Sequence, residues 1–192
     1  MAALAAACGA DPPANVPNVP SSPSSPTSSV ALPPAIPLPP GAPVSATTFT
    51  MTSEPGDTVG FGLSRTYYLG DGTWTARFDT NNAGGHVAIF IESLRGNPLW
   101  FWQLNFGSPK GQPLVPGSYS AARRYPFQGD TQPGLDVVGG SGCNTSTGSF
   151  IVNDIKVTAG NLDRFDATFE QHCDGRSPAL RGRVVIASDP WR

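Results

Sequence analysis

Side chains suited to acid–base or metal chemistry are scarce in this sequence. It holds two histidines, His86 and His172, among 192 residues. Neither has a second histidine four residues away, the spacing that brings two metal ligands to one face of a helix, and neither stands beside a recognisable nucleophile. His86 begins an apolar run, whereas His172 lies on the polar side of an alternating run. We therefore predict no histidine-based metal or catalytic site.

Three other segments match a chemical motif only in part. Residues 139–143 place a cysteine where the nucleophile elbow of serine hydrolases requires its second glycine. Residues 79–84 match half of a calcium loop, but Ala83 and Phe90 occupy two ligand positions. The carboxylates of residues 163–174 are a candidate glycosidase pair, yet charged outer faces of strands have the same pattern. We expect no catalytic residue, no metal and no cofactor.

The strongest binding candidate is the aromatic run that contains Phe101. Side chains alternate between the two faces of a strand, so Phe101 points away from Trp100 and Trp102, and Gln103 and Asn105 lie on its side. In β-sandwich carbohydrate-binding modules an exposed aromatic ring stacks on sugars while neighbouring amides bind hydroxyl groups. Phe101, Gln103 and Asn105 therefore predict a glycan-binding platform. The alternative is that Phe101 belongs to a second core layer beneath a covering segment.

The elements that must position these residues are nearly all strands. Apolar and polar residues alternate most clearly in residues 162–173. One face of that run holds Phe165, Ala167, Phe169, Gln171 and Cys173. In residues 150–157 the apolar phase shifts by one position, which predicts a β-bulge near Asn153 and Asp154. Turns rich in glycine and proline separate the runs. We predict an all-β fold, an antiparallel β-sandwich of jelly-roll or Greek-key type.

Composition divides the chain into a linker and a domain. Of its 21 prolines, 12 lie between Pro12 and Pro43, and no charged residue occurs from residue 12 to residue 53. Repeated proline removes backbone donors and favours solvated polyproline II conformations, which predicts a disordered Pro/Ser-rich linker over residues 12–45. Residues 46–192 are numerous enough to bury a core, and we assign them to one β-sandwich domain.

The charge distribution argues against a nucleic-acid partner. The chain carries 12 basic and 14 acidic residues, and its formal net charge is -2. Apart from the adjacent Arg123 and Arg124, its lysines and arginines are scattered singly, whereas a surface that binds nucleic acid needs clustered basic residues to neutralise phosphates. We therefore expect no nucleic-acid partner.

The N-terminal segment contains a cysteine in a distinctive setting. Small residues lead up to Cys8, and the linker follows almost at once. This arrangement resembles the lipobox of bacterial lipoproteins, with Ala5 at a position where leucine is usual. The resemblance implies that residues 1–11 are a truncated signal segment and that lipid on Cys8 anchors the protein to a membrane. Gly9 directly after the cysteine implies the outer membrane. The alternative is an ordinary cysteine in a disordered leader.

Assigning Cys8 to lipid leaves Cys143 and Cys173 as a pair within the domain. A disulfide between them fits the periplasm or the extracellular space, where such bonds persist. A redox or catalytic thiol is the alternative, although no Cys-x-x-Cys spacing supports it.

Two stretches of the domain resemble secreted proteins. Residues 114–119, Leu-Val-Pro-Gly-Ser-Tyr, are similar to a Leu-x-Pro-Gly-x-Tyr turn of extracellular β-sandwich modules, in which the tyrosine packs at a sheet corner. The run from Gly142 to Cys173 resembles an uncharacterised domain of secreted and lipid-anchored bacterial proteins. These resemblances imply a fold and a compartment, but no activity.

These observations together predict a non-catalytic lipoprotein of the cell envelope, either anchored in the outer membrane or extracellular. Its domain would be a binding or structural module whose ligand is a glycan or an envelope protein. One alternative is an envelope hydrolase of polysaccharides, which requires a cleft that joins two carboxylates or a histidine and a hydroxyl. Another is a protein-interaction or adhesion domain, which requires an exposed apolar patch.

Overall fold

Strands joined by short turns dominate the computed structural model, which describes residues 46–80, 84–93 and 100–187. The strands are β1 (Thr48–Ser53), β2 (Ser64–Tyr68), β3 (Gly72–Asp79), β4 (His86–Ser93), β5 (Phe101–Gly107), β6 (Gly117–Arg123), β7 (Gly134–Val138), β8 (Ser146–Thr158), β9 (Asn161–Cys173) and β10 (Ala179–Ile186). Within these ranges the only helix is a 3₁₀ turn, Leu69–Asp71. The predicted all-β fold is confirmed. The predicted signal segment at 1–11 and linker at 12–45 lie outside the described residues.

All ten strands belong to one hydrogen-bonded sheet, in the order β2-β1-β10-β9-β8-β6-β7-β5-β4-β3. Neighbouring strands pair antiparallel except β6 and β7, which meet in parallel at Arg123 and Gly134. The sheet curls over, so the half with β1 and β8–β10 packs against the half with β3–β5 and β7. The two edge strands meet where Trp74 Nε1 donates a hydrogen bond to the Tyr68 carbonyl at 3.3 Å. The layers of this sandwich are therefore two halves of one sheet.

Aromatic side chains from both halves fill the space between them. The rings of Phe49 in β1 and Trp102 in β5 meet edge to face, with centroids 5.2 Å apart. Phe106 of β5 lies 5.3 Å from Phe165 of β9 and 5.4 Å from Phe150 of β8. All five side chains are at most 5% exposed. Burying each such ring stabilises the fold by roughly 1.5–3 kcal/mol, so these contacts hold the halves together.

Strand β9 alternates as its sequence predicts. The inward residues Phe165, Ala167, Phe169, Gln171 and Cys173 are all buried. Gln171 is the polar member of this set, and its side-chain amide exchanges two 2.8 Å hydrogen bonds with the backbone N–H and C=O of Val137. Strand β7 pairs fully with β5 but meets β6 only at Gly134. The Gln171 amide thus replaces the missing strand partner of Val137.

The predicted β-bulge is present in β8. The pairing with β9 shifts between Val152 and Asp154, so Asn153 is the extra residue. The Asn153 amide donates a hydrogen bond to Asp166 Oδ1 at 3.2 Å. The bulge therefore turns a polar side chain toward a buried carboxylate on the neighbouring strand.

The turn before β6 has the geometry that its resemblance implies. Gly117 has a φ of 154°, which a residue with a side chain rarely adopts. The Tyr119 hydroxyl accepts a hydrogen bond from the Val115 N–H and donates one to the Val115 carbonyl, both at 2.9 Å. Its ring stacks on Phe150 with centroids 4.6 Å apart. Tyr119 thereby fastens the turn to the edge of the core.

Candidate functional site

Strand β5 exposes two of the three residues predicted to form a binding platform. Trp102 and Leu104 face the core and are 5% and 0% exposed, whereas Phe101 is 41% exposed on the opposite face. Gln103 is exposed on the same side as Phe101. The predicted alternation of β5 is confirmed, and Phe101 and Gln103 share an accessible surface.

A second aromatic ring extends this surface. Phe90 of β4 lies beside Phe101, with ring centroids 6.2 Å apart and planes inclined by 30°. Strand β4 lies between β3 and β5 in the sheet, and Phe90 is half-buried on its outer face. The sequence signal for Phe90 is the apolar run 86–91, which predicts a central strand without showing which face stays open. The two rings form an apolar strip on which a flat molecule can stack.

A shallow groove of about 280 Å³ adjoins the rings and crosses β3 and β4. Thr75, Arg77, Ala88, Phe90 and Gln103 line it. Arg77 and Ala88 are cross-strand partners, and the small alanine side chain leaves the groove open beside the guanidinium group. The groove thus combines an apolar wall with hydroxyl, amide and guanidinium groups. We call this surface the β3–β5 face and define it by Thr75, Arg77, Phe90, Phe101 and Gln103.

Asn105, the third predicted platform residue, belongs to a buried network. It is 4% exposed, and its Oδ1 lies 3.2 Å from His86 Nε2. Its Nδ2 donates a long hydrogen bond of 3.5 Å to the Asp136 carbonyl. These contacts engage the amide of Asn105, which is therefore buried, unlike Phe101 and Gln103 on the same strand.

The comparisons with known proteins give no relative. No protein-family model, no curated protein and no solved structure matches this chain. Its function therefore has to be argued from the chemistry of its own surfaces.

A second cavity, of about 360 Å³, opens where β4 begins and β5 ends. His86 lies in its wall, with Nδ1 3.1 Å from Asp79 Oδ2 and Nε2 3.2 Å from Asn105 Oδ1. The ring of Tyr125 stacks on the imidazole, with centroids 4.0 Å apart. His86 is consequently 5% exposed although it lines a cleft.

Two glycines make room for this stack. Gly107 of β5 pairs with His86 on one side and with Gly134 of β7 on the other. A β-carbon would lie 3.1 Å from the Tyr125 ring at Gly107 and 2.8 Å from it at Gly134. A side chain at Gly134 would therefore force Tyr125 to move, and one at Gly107 would require its ring to shift by a few tenths of an ångström, so both glycines help Tyr125 to cover this part of the sheet.

The cleft contains both a histidine and a serine, but their hydrogen bonds support the surrounding loops. Ser108 Oγ accepts a hydrogen bond from the Gly85 N–H at 2.9 Å and lies 2.5 Å from the Gln112 carbonyl oxygen. Both ring nitrogens of His86 contact other side chains. A serine nucleophile needs its hydroxyl hydrogen-bonded to the base. The Ser108 hydroxyl contacts backbone groups of the loops, and the His86 ring contacts Asp79 and Asn105. The described contacts therefore do not join this serine to this histidine.

Asp136 of β7 is a buried carboxylate with incomplete hydrogen bonding. It is 6% exposed, and its Oδ1 lies 3.8 Å from Arg124 Nε. Within the described ranges, Oδ1 accepts no hydrogen bond. Burial, opposed by the positive charge of Arg124, raises the pKa of Asp136 to about 6. The ionised side chain is therefore held in the folded protein at a cost in free energy.

The outer side of the other half of the sheet is a set of ion pairs. Arg183 binds the buried Asp166 with two hydrogen bonds, of 2.9 and 2.7 Å. The hydrogen bond to Asp166 raises the pKa of Arg183. Arg181 contacts both Glu170 and Glu54. We call this surface the β8–β10 face and define it by Asp154, Arg164, Asp166, Glu170, Arg181 and Arg183.

The predicted disulfide is confirmed, while other predicted sites remain predictions. Cys143 and Cys173 are bonded, with Cα atoms 5.1 Å apart, and join the connection before β8 to the end of β9. Cys8 lies outside the described residues. In residues 79–84, which match half of a calcium loop, Asp79 contacts His86. Residues 81–83 of that segment lie outside the described residues.

Two further observations concern metals and membranes. No three His, Cys, Asp or Glu residues cluster as a metal site in the part of the chain that the structure describes. Over those same residues, we find no helix with the length and apolar character needed to cross a membrane.

Proposed function

We propose that this protein is a non-catalytic glycan-binding module of the cell envelope, anchored there by lipid on Cys8. The observation that carries the proposal is the pair of neighbouring rings, exposed Phe101 and half-buried Phe90, beside a groove with polar walls. The anchor follows from the lipobox-like setting of Cys8. Replacing Cys8 with alanine should move the protein from the membrane to the soluble fraction, and unchanged membrane association would contradict the anchor.

The chemistry of the β3–β5 face suits a sugar. A pyranose ring has apolar C–H faces, which stack on aromatic rings, and a rim of hydroxyl groups, which need hydrogen-bond partners. Phe101 and Phe90 offer the first, and Gln103 and Thr75 offer the second. If each ring removes about 50 Å² of apolar surface from water, the pair contributes roughly 2–3 kcal/mol. That is a weak single site, which a repetitive polysaccharide would strengthen by offering many copies.

The hydrogen bonds in the second cavity favour binding over hydrolysis. A polysaccharide hydrolase needs a base and an acid or nucleophile that face a shared substrate. The ring of His86 contacts Asp79 and Asn105, and Tyr125 lies against it. The hydroxyl of Ser108 contacts the loop backbone. These groups support the cleft wall, so we assign the ligand to the β3–β5 face.

A protein-interaction function would use a different surface. Phe61 and Leu63, in the loop between β1 and β2, are each 61% exposed. Phe61 adopts a positive φ of 56°, which is uncommon for a residue with a large side chain. Loss of a protein partner on Phe61→Ala, without loss of glycan binding, would identify this loop as an additional interaction site.

The decisive experiment is a pull-down with purified peptidoglycan and a panel of immobilised polysaccharides. We expect Phe101→Ala to weaken glycan binding by about tenfold, equivalent to about 1.4 kcal/mol. Ile151→Ala is the matched control, because Ile151 is 42% exposed and Phe101 41%, but Ile151 lies on β8. Binding that ignores Phe101→Ala, or that falls equally with Ile151→Ala, would contradict the proposed site.

A further inference from the structure

We propose that the glycan bound by the β3–β5 face is acidic, and that Arg77 binds its carboxylate. This inference rests on the proposed glycan-binding function and adds the class of sugar that the site selects. It would make Arg77 the specificity residue of the surface, whereas Phe90 and Phe101 would supply affinity for any sugar ring.

Arg77 differs from the arginines of the other half of the sheet. Arg164, Arg181 and Arg183 each form an ion pair with an acidic side chain. Arg77 is exposed and, among residues 46–80, 84–93 and 100–187, forms no ion pair and no side-chain hydrogen bond. Its guanidinium group is therefore free to bind a group from outside. Guanidinium donors match the two oxygens of a carboxylate, and such bidentate contacts are stronger than neutral hydrogen bonds.

The register of the strands puts Arg77 next to the stacking surface. Arg77 pairs with Ala88, and Phe90 is two residues further along β4 on the same face. Successive residues on one face of a strand are about 7 Å apart, a distance that an arginine side chain spans. A substituent of a sugar stacked on Phe90 would thus lie within reach of Arg77. The alanine at position 88 leaves space for that substituent in the groove.

Two carboxylates of the protein, Glu92 and Asp79, lie on the same side of these strands as Arg77. Glu92 is exposed in the row of Phe101, four residues from Ala88 along β4 and so about 14 Å from the row of Arg77. Asp79 lies two residues from Arg77 on β3, and its carboxylate is 3.1 Å from His86 Nδ1. A singly charged carboxylate would be attracted to Arg77 and kept away from the Glu92 end. The carboxylate of the bound sugar is therefore expected at the Arg77 end of this face and not at the Glu92 end.

The test compares probes that share one sugar backbone and differ in whether each carboxylate is ionised or methyl-esterified. Short oligogalacturonates and oligomannuronates would be titrated against the full chain beside their fully methyl-esterified forms. We expect the acids to bind about three- to tenfold more tightly than the esters, as for a partly exposed ion pair with good geometry. The preference should shrink as salt is added, because salt screens exposed charges.

Two substitutions assign the preference to one residue. Arg77→Gln should abolish the preference, so that the variant binds the acids and the esters equally. Arg176→Gln removes the same charge from the turn after β9 and should leave the preference intact. Arg77→Lys should retain part of it, because lysine keeps the charge but loses the two-pronged contact.

The outcomes separate this inference from the function on which it rests. Equal binding of acid and ester by the natural chain would overturn it, as would a preference that survives Arg77→Gln. Binding of neutral glycans alone would overturn it as well, while leaving the proposed function intact. Failure of every glycan to bind, with Phe101→Ala indistinguishable from the natural chain, would instead remove the proposed function.

Discussion

The two outer faces of this sheet differ in whether their arginines are paired with carboxylates. On the β8–β10 face, Arg183 and Asp166 are joined by two hydrogen bonds across neighbouring strands. On the β3–β5 face, Arg77 has no such partner in the described residues, and Phe101 is 41% exposed. Cross-strand pairs stabilise a sheet, whereas unpaired guanidinium groups and exposed rings add little to stability. We infer from this difference that the β8–β10 face stabilises the fold, while the β3–β5 face is the one available for the proposed binding.

The largest expected difference in the free energy of unfolding comes from replacing one arginine on each face with glutamine. Arg183→Gln leaves the carboxylate of Asp166, which is 2% exposed, with the Asn153 amide as its remaining described side-chain contact. We expect it to lower the free energy of unfolding by about 2–3 kcal/mol, somewhat less than for a fully buried pair because Arg183 is itself partly exposed. Arg77→Gln should change it by less than about 0.5 kcal/mol. Urea denaturation of both variants measures the difference.

If Arg77→Gln and Arg183→Gln lowered the free energy of unfolding equally, the proposed difference between the two faces would be wrong. Such a result would mean that Arg77 has a structural role. A loss confined to Arg183→Gln, with glycan affinity unchanged in that variant, would sharpen the distinction between a stabilising face and a binding face.

Strand alternation made much of this arrangement predictable. A period of two is enough to assign Phe101 and Trp102 to opposite faces, because adjacent side chains in a strand must diverge. The same rule identified the buried face of β9 and, from a single phase shift, the bulge near Asn153. Each of these inferences needs only the local pattern, which is why it holds without knowledge of the tertiary fold.

The remaining features depend on contacts between distant parts of the chain. Strands β1, β2 and β7 were not predicted, because they are only five or six residues long. Their positions are set by pairing: β1 with β10, β2 with β1, and β7 with β5. Asn105 has the same alternation as Gln103 but is buried by a network that includes His86. Tyr125 stacks on that histidine from a later loop. Periodicity reports the face of a strand but not what covers it.

Neutralising two buried aspartates, one in each half of the sheet, should change the free energy of unfolding by a smaller amount and with opposite signs. The pKa of Asp136 is raised to about 6 by burial, so its ionised form opposes folding at neutral pH. We expect Asp136→Asn to stabilise the protein at pH 7.5 by about 1–2 kcal/mol. Asp166→Asn should destabilise it, because Asp166 accepts two hydrogen bonds from Arg183.

The pH dependence gives the control for Asp136. Between about pH 4 and pH 6 the folded chain keeps a proton on Asp136 that the unfolded chain releases, so this group favours folding most at low pH. Its contribution is lost as the pH rises through 6. The advantage of Asp136→Asn should therefore shrink as the pH falls and disappear at about pH 3 and below, where the carboxyl is protonated in both the folded and the unfolded chain. A destabilised variant at pH 7.5 would show that the Arg124 contact outweighs burial, and an advantage that persists at about pH 3 would show that it does not come from the charge of Asp136.

The most direct test of the central claim is an NMR titration that maps where a glycan binds. A polysaccharide fragment retained in the pull-down would be added to isotope-labelled protein, and backbone amide shifts would be followed to saturation. The account predicts saturable shifts at Thr75, Arg77, Phe90, Phe101 and Gln103, with the amides of the β8–β10 face unchanged. Shifts centred on the β8–β10 face, or on the loop that carries Phe61, would contradict it.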